Sequence, residues 1–225
     1  MLDGNFMVAQ IIDGKKLATK IRAEIATQIK LKTQQGFRHP ALAVILVGHD
    51  PASTIYVQRK REACDETGIA SSYHHLPENI SKQQLYDVID QLNFDSNIDG
   101  ILLQLPLPNS IYSDEFLEAI HPKKDVDGFH PYNVGLLAER RPALRPCTPL
   151  GIMTLLDEIH LPYKNQHAVI VGVSNIVGRP MGLELLLAGC TITMCHRFTK
   201  NLSEYVKQAD ILISAVGKPE LIKGA

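Results

Sequence analysis

The 225-residue chain has no long apolar run: the longest, Ala41 to Val47, has seven residues, far below the roughly 18–20 that a membrane-spanning helix needs. Net charge is almost absent too. Lys+Arg 23 against Asp+Glu 24 leaves a formal −1, so no overall field holds the chain on nucleic acid or an acidic membrane, and an anionic ligand needs a local site. Cysteine is sparse. Cys64, Cys147, Cys190 and Cys195 include no CxxC pair, which argues against a zinc-thiolate centre or a disulfide scaffold and leaves reduced, mostly buried thiols as the expectation. The nine histidines form no HExxH or HxxxH pattern, and adjacent His74 and His75 would point to opposite faces of a strand, so no metal site is expected. The first residues, with Asp3 and Asn5, lack a positive start followed by an apolar core. Without a secretory signal, a soluble, cytoplasmic protein is expected. What the composition does supply is 45% hydrophobic and 21% charged residues, the balance of a folded globule of one large or two small domains.

Periodicity organises the rest. Ile21, Ile25 and Ile29 recur every four residues, which predicts a helix from Asp13 to Gly36. The branched run Ala41–Val47 predicts a strand covered on both faces. A helix over Ser53–Thr67 stopped at Gly68, a strand over Ile69–His75 and a helix over Ser81–Phe94 capped by Ser81 follow. Next come a buried strand over Gly100–Leu105 and a helix over Asp114–Ile120, and from Pro122 to Pro149 the pattern weakens into turn residues. A second series begins with a helix capped by Thr148, with Pro149 in its first turn, running to His160. Strands over His167–Gly172, Thr191–Cys195 and Asp210–Ser214 then alternate with helices over Pro180–Ala188 and Ser203–Ala209. Alternation on both sides of a Pro-rich junction predicts an α/β protein of two domains with mainly parallel sheets, divided as 1–147 and 148–225. The second domain shows three strands, where a doubly wound nucleotide-binding unit usually has about six. It is therefore expected to be incomplete, the 225 residues being a fragment of a longer chain.

The strand ending at Gly172 runs into Val173-Ser174-Asn-Ile-Val-Gly178-Arg179-Pro180. A strand, a glycine turn and a helix start put free backbone N–H groups and a positive helix end where a pyrophosphate would sit. The first two glycines are six apart, so the generic GxGxxG fingerprint fails, and a tight β-to-α turn alone also accounts for them. Dinucleotide sites for NAD usually carry an acid about 20 residues past the turn. Here that region reads Cys195-His-Arg197-Phe-Thr-Lys200, without an acid. A carboxylate there would repel a 2′-phosphate, whereas Arg197 pairs with one, so the spacing favours NADP; a solvated loop is the plain alternative.

In the first domain Tyr56 and Lys60 lie four apart on one helical face, where a phenol and an amine can share a hydrogen bond, and partial burial would bring the lysine into an acid/base range. The same spacing also occurs as packing beside a solvated charge. Gln104 follows the apolar Ile101-Leu-Leu103 and precedes Leu105-Pro106. A polar amide near the carboxyl end of a parallel strand must find partners: either a ligand, since ligands bind at such ends, or a neighbouring loop. Asp125 and Asp127 sit two apart before Gly128, which suits an Asx-type turn or a carboxylate that accepts ligand N–H groups.

Taken in order, Tyr56-Val-Gln-Arg-Lys60, Gln104-Leu-Pro-Leu-Pro108, Lys124-Asp-Val-Asp-Gly128, Pro146-Cys-Thr-Pro149 and Gly172-Val-Ser-Asn-Ile-Val-Gly-Arg-Pro180 resemble the bifunctional methylenetetrahydrofolate dehydrogenase/methenyltetrahydrofolate cyclohydrolases over almost the whole chain. The resemblance implies a folate cleft between an N-terminal catalytic domain and a Rossmann-like NADP-binding domain, in a cytoplasmic homodimer of one-carbon metabolism that interconverts tetrahydrofolates for purine biosynthesis. It makes Lys60 the catalytic lysine, Tyr56 its partner, Gln104 the glutamine that supports it and Asp127 the carboxylate that holds the pterin. Leu103 and Leu105 join these residues in binding substrate. Gly172, Val173, Ser174, Gly178 and Arg179 become the cofactor turn, and Arg197 contacts the adenosine phosphate. Two departures stand out: many relatives carry Arg where this chain has Val173, and the family's C-terminal Pro-Gly-Gly-Val-Gly-Pro loop is missing. An incomplete cleft would suit a folate- or nucleotide-binding protein without turnover, and the α/β layout alone would suit another small NADP dehydrogenase.

Overall fold

The computed structural model describes residues 9–108 and 111–223. The first half comprises α1 (Gly14–Gln34), β1 (Ala41–Val47), α2 (Pro51–Thr67), β2 (Ala70–Leu76), α3 (Lys82–Phe94), β3 (Gly100–Leu103) and α4 (Ser113–Ala119). A short helix, α5 (Pro131–Ala138), leads to α6 (Cys147–Glu158), β4 (His167–Val171), α7 (Gly178–Ala188), β5 (Thr191–Cys195), α8 (Leu202–Val206) and β6 (Ile211–Ser214).

Each half builds a three-stranded parallel sheet, ordered β2-β1-β3 and β5-β4-β6. The most apolar strands, β1 and β4, lie at the centres, because only a central strand hides both faces. One face of β1 packs Ile45 against Leu85, Ile89 and Phe116 of α3 and α4; the other packs Val44 and Leu46 against Val57 of α2. In the second sheet Ile170 meets Met181, Leu185 and Met153 of α7 and α6, while Val169 and Val171 meet Leu202 and Val206 of α8. Helices on both faces make each half three-layered, and parallel pairing sends the carboxyl ends of all strands in a sheet to one edge.

Helix α1 spans both halves. Its Arg22 Nε pairs with Glu66 of α2 at 2.7 Å, and its Leu17, Ala18 and Ile21 share an apolar groove with Ile152 and Leu155 of α6. Ile25, the middle of the four-residue repeat, stays exposed. No helix among the described residues is long and apolar enough to cross a membrane.

Local chemistry sets the ends. Asp50 caps α2, its side chain accepting from Ser53 N at 2.8 Å, and Gly68 ends the helix in the left-handed region at φ 80°. Ser81 and Gln84 form a reciprocal capping box on α3.

Four expectations need correction. The Pro122–Pro149 stretch is not all turn: α5 starts at Pro131, with His130 accepting from Tyr132 N at 3.0 Å, so the proline begins a helix where it had suggested a break. Thr148 does not cap α6. The helix begins one residue earlier, at Cys147, and its cap Pro146 lends only a backbone carbonyl, to Leu150 N at 3.0 Å. Strand β3 stops at Leu103, although Gln104 N still bonds Ile45 O at 2.9 Å. Helix α8 is one residue earlier at its start and three shorter at its end than the pattern suggested, because Asn201 turns into it at φ 52° and Lys207 caps it. Three of the four thiols are buried, and Cys147 alone is exposed.

Candidate active site

Residues at the carboxyl edge of the first sheet converge. Lys60, on the last half of α2, reaches across to the chain leaving β3, and its Nζ donates to Gln104 Oε1 at 3.2 Å. Gln104 is held from its other end: Nε2 donates to Leu105 O at 2.7 Å, and the buried Ser53 hydroxyl donates to the same carbonyl at 3.3 Å. With its amide nitrogen committed, Gln104 turns an oxygen toward the lysine, and an oxygen can only accept. Ser53 is therefore part of the support, one turn before Tyr56, and only its burial reveals it. Tyr56 is 56% exposed, and its phenol makes no hydrogen bond among the described residues; it does not bond Lys60 as the four-residue spacing allows. Leu103 is 1% exposed inside the first core, so its side chain offers the cleft no surface, and any contact from that position runs through the backbone.

The two aspartates before Gly128 have opposite situations. Asp125 is buried and saturated: it accepts from Phe129 N at 3.2 Å, His130 N at 2.9 Å and Asn133 Nδ2 at 2.8 Å. That is the turn-forming role, reinforced by a helix that sequence patterning passed over. Asp127 makes no side-chain hydrogen bond among the described residues. Burial raises its carboxyl above the ordinary value, nearby Lys60 pulls it back, and Asp125 pushes it up again. A partly desolvated carboxyl with no protein partner among the described residues is suited to taking N–H groups from a flat heterocycle. Cys147 completes this wall. Its thiol donates to Val126 O at 3.1 Å, and burial, then the Asp127 charge, raise it to about 11.

At the carboxyl edge of the second sheet, β4 ends in a turn packed without slack. Gly172 adopts φ 110°, and a Cβ there would lie 2.3 Å from Ala215 O; a Cβ on Gly178 would lie 2.0 Å from Gly172 O. Both glycines are thus required by the turn itself. Not every amide there is free, as the motif had suggested. Ser174 Oγ accepts from Val177 N at 3.2 Å and Gly178 N at 3.3 Å, and Arg179 folds back, its Nε donating to Val173 O at 3.2 Å. The amides of Val173, Ser174, Asn175 and Ile176 have no acceptor among the described residues.

Arg197 follows β5 on the same edge, where Gly172 N bonds Cys195 O at 2.8 Å. Its guanidinium lies over the Phe198 ring, 4.7 Å from the centroid, exposed and without a carboxylate partner among the described residues. A turn that admits only glycine, open amides beyond it and an unpaired guanidinium one strand away fit a phosphate-bearing dinucleotide.

Comparison with known proteins bears on both edges. The catalytic-domain model of the tetrahydrofolate dehydrogenase/cyclohydrolase family matches residues 12–127, and the family's NAD(P)-binding-domain model matches residues 146–225. The bifunctional methylenetetrahydrofolate dehydrogenase/cyclohydrolase of Campylobacter jejuni is 47% identical with a TM-score of 0.93, the match covering 95% of this chain and 76% of that one. A 5,10-methylenetetrahydrofolate dehydrogenase from the silkworm Bombyx mori is 38% identical (TM-score 0.91; 96% and 78% covered). The Trypanosoma brucei dehydrogenase-cyclohydrolase, solved with NADP cofactor and an inhibitor, is 32% identical (TM-score 0.92; 95% and 74% covered).

Proposed function

The chain belongs to the tetrahydrofolate dehydrogenase/cyclohydrolase family, and from that premise we propose that it oxidises 5,10-methylenetetrahydrofolate with NADP⁺ and hydrolyses the methenyl product to 10-formyltetrahydrofolate. The observation that carries the reading is the 3.2 Å bond from Lys60 Nζ to Gln104 Oε1, at the edge where the Asp127 carboxyl has no side-chain partner among the described residues.

In the oxidative step the substrate's methylene carbon gives up a hydride and becomes the cationic methenyl carbon, with no proton transferred. When bound, NADP⁺ supplies the hydride acceptor. The chain's contribution is alignment of two flat rings: Asp127 holds the pterin by its N–H groups, Tyr56 offers a ring face at the cleft surface, and Leu105 lines the wall. Gly172, Val173, Ser174 and Gly178 form the turn that takes the pyrophosphate. Arg179 braces that turn, and Arg197 pairs with the 2′-phosphate.

In the hydrolytic step water adds to the methenyl carbon, one carbon–nitrogen bond breaks, and the formyl group remains on the other nitrogen. Lys60 Nζ, acting as base, takes a proton from the attacking water and returns it to the departing nitrogen, the second hydroxyl proton passes to solvent as the formyl C=O forms, and Gln104 keeps the amine aimed at the reacting carbon. One cleft therefore serves both reactions with one lysine.

The proposal extends to a cytoplasmic homodimer in one-carbon metabolism, supplying formyl groups for purine biosynthesis, with the two domains joined at residues 147/148. The decisive test is to mix the protein with methylenetetrahydrofolate and NADP⁺ and follow the methenyl chromophore in the ultraviolet, then its decay to the formyl product. Appearance and decay are expected. Tight binding of both ligands without any methenyl product would instead identify a binding protein and overturn the enzymatic reading.

A further inference from the structure

The segment between α5 and α6 carries an ion pair that neither chemical step uses. Arg145 Nε donates to Glu184 Oε1 at 2.8 Å, and Arg145 Nη2 donates to Glu184 Oε2, so the contact is bidentate. Glu184 lies on α7, the helix that begins at the cofactor turn, and its side chain has no solvent exposure; that of Arg145 is 31% exposed. A buried ion pair gains little or no stability over apolar residues of similar volume, so what this pair can add is direction.

The backbone around Arg145 leads straight to the folate side. Gly128 sits at φ 72°, and a Cβ on it would lie 2.4 Å from Arg145 C and 2.5 Å from Pro146 N. The turn that carries Asp127 is therefore pressed flat on the Arg145–Pro146 peptide. Two residues on, Cys147 N donates to Asp127 O at 3.3 Å and Cys147 Sγ to Val126 O at 3.1 Å. One short segment thus grips the Asp127 turn with its main chain and the cofactor helix with its Arg145 side chain.

We propose that the Arg145–Glu184 pair is a positioning device that fixes the folate-holding turn relative to the cofactor helix, so that the donor carbon and the hydride acceptor meet in register. It rests on the folate reading above and adds the pair's role to it. The two reactions divide the consequence. Hydride transfer needs both domains in register. Hydrolysis depends on proton transfer by Lys60, aimed by Gln104, and neither residue lies on the tethered turn, so it loses less when the pair is gone. Misplacement by about 1 Å is enough to cost on the order of 10²-fold in such an alignment-limited step.

The test uses the whole chain in two variants. Arg145→Met alone leaves Glu184 buried and uncompensated and is prone to misfold, so Arg145→Met/Glu184→Leu is the informative partner: it replaces the pair by apolar volume and removes only the directional link. In the double variant the dehydrogenase kcat is expected to fall about ten- to a hundredfold, with cyclohydrolase activity within about threefold of the parent, well below the span of proton-transfer losses. Amide hydrogen exchange provides a readout independent of activity. Exchange at Asp125–Gly128 and Cys147 should rise by about tenfold or more while β1 and α3 stay protected. Equal loss of both activities, an unchanged dehydrogenase kcat, or unchanged exchange at Asp125–Gly128 would each overturn the positioning role. A parent protein with neither activity would count against the folate reading instead, and the exchange measurement would still decide whether the pair holds the turn.

Discussion

Lys60 Nζ donates to Gln104 Oε1 at 3.2 Å, and the Gln104 amide nitrogen is spent on Leu105 O at 2.7 Å. The glutamine cannot flip without losing both bonds, so the lysine's direction is set by the end of β3 and not by its own helix. Lys60→Met keeps the chain length and removes proton chemistry. Cyclohydrolase activity is expected to fall by roughly 10²–10⁴, with folate binding retained and dehydrogenase activity reduced less. Gln104→Leu removes only the aim, and its cyclohydrolase loss should be about tenfold or more, short of the Lys60→Met loss. Steady-state rates of both reactions check the order; a Lys60→Met protein that hydrolyses methenyltetrahydrofolate at the parent rate contradicts the assignment.

Asp127 predicts a pH dependence of stability. Burial raises its folded-state pKa above the unfolded value, with the Lys60 charge opposing. A raised carboxyl leaves folding unpenalised below the unfolded pKa and costs stability as pH rises through the folded pKa. Asp127→Asn removes that cost. Chemical denaturation should find the variant more stable than the parent at neutral pH, with the gap closing as the solution is acidified below the ordinary carboxylate range. A gap that widens on acidification would mean that Asp127 is stabilised by its partners.

Cys147 is exposed as a residue, yet its thiol is raised to about 11 by burial of the sulfur and by Asp127. Only the thiolate is nucleophilic, and at pH 8 a pKa of that size leaves roughly one thiol in a thousand ionised. Alkylation of Cys147 by iodoacetamide, followed by peptide mass spectrometry, should be slow at pH 8 and rise about a hundredfold by pH 10. A rise of only about tenfold or less over that range would show that the thiol has an ordinary pKa and faces open water.

Arg197 has no carboxylate partner among the described residues and rests on Phe198. A charge-assisted contact to a 2′-phosphate contributes on the order of 1.5–3 kcal/mol, or roughly ten- to a hundredfold in affinity. Titration should show NADP⁺ binding more tightly than NAD⁺ by such a factor, and Arg197→Ala should erase the difference. Equal affinities in the parent would remove Arg197 from the cofactor site.

The frame of the fold was legible because β1 and β4 are apolar on both faces, and only a central parallel strand needs that. Asp13, Ser81 and Gly68 announced helix ends with side chains or a missing one. Helix α5 was not legible: eight residues long, opened by Pro131 and held by the buried Asn133 on Asp125, it depends on a tertiary partner that no local pattern encodes. At the site, spacing marked Lys60, Gln104 and the Asp125/Asp127 pair as candidates beside plainer readings, and only the family resemblance gave them roles. Spacing could not say which aspartate forms the turn, nor that Ser53 shares a carbonyl with Gln104, since both depend on what lies across the fold.

The glycine turn yields the last prediction. A Cβ on Gly178 would lie 2.0 Å from Gly172 O, 2.6 Å from Gly172 C and 2.8 Å from Val173 Cα. Every one of these is backbone, so no side chain can swing aside. Gly172 cannot retreat either, because its own Cβ position lies 2.3 Å from the carbonyl oxygen of Ala215, the residue just past β6. Gly178→Ala must therefore open the turn, at a cost of about 1–3 kcal/mol of overpacking. For a chain of this size that lowers the melting temperature by roughly 2–4 °C per kcal/mol. The distortion falls on Val173 and Ser174, so NADP⁺ affinity should drop with it, while Lys60 on α2 and Gln104 after β3 keep their geometry and cyclohydrolase activity survives. Gly151→Ala is the control: that glycine lies within α6 with nothing within 4 Å of its Cβ position, and alanine there should leave stability unchanged or raise it by up to about 1 kcal/mol. If Gly178→Ala melts with the parent and binds NADP⁺ as tightly, the turn is not packed as described.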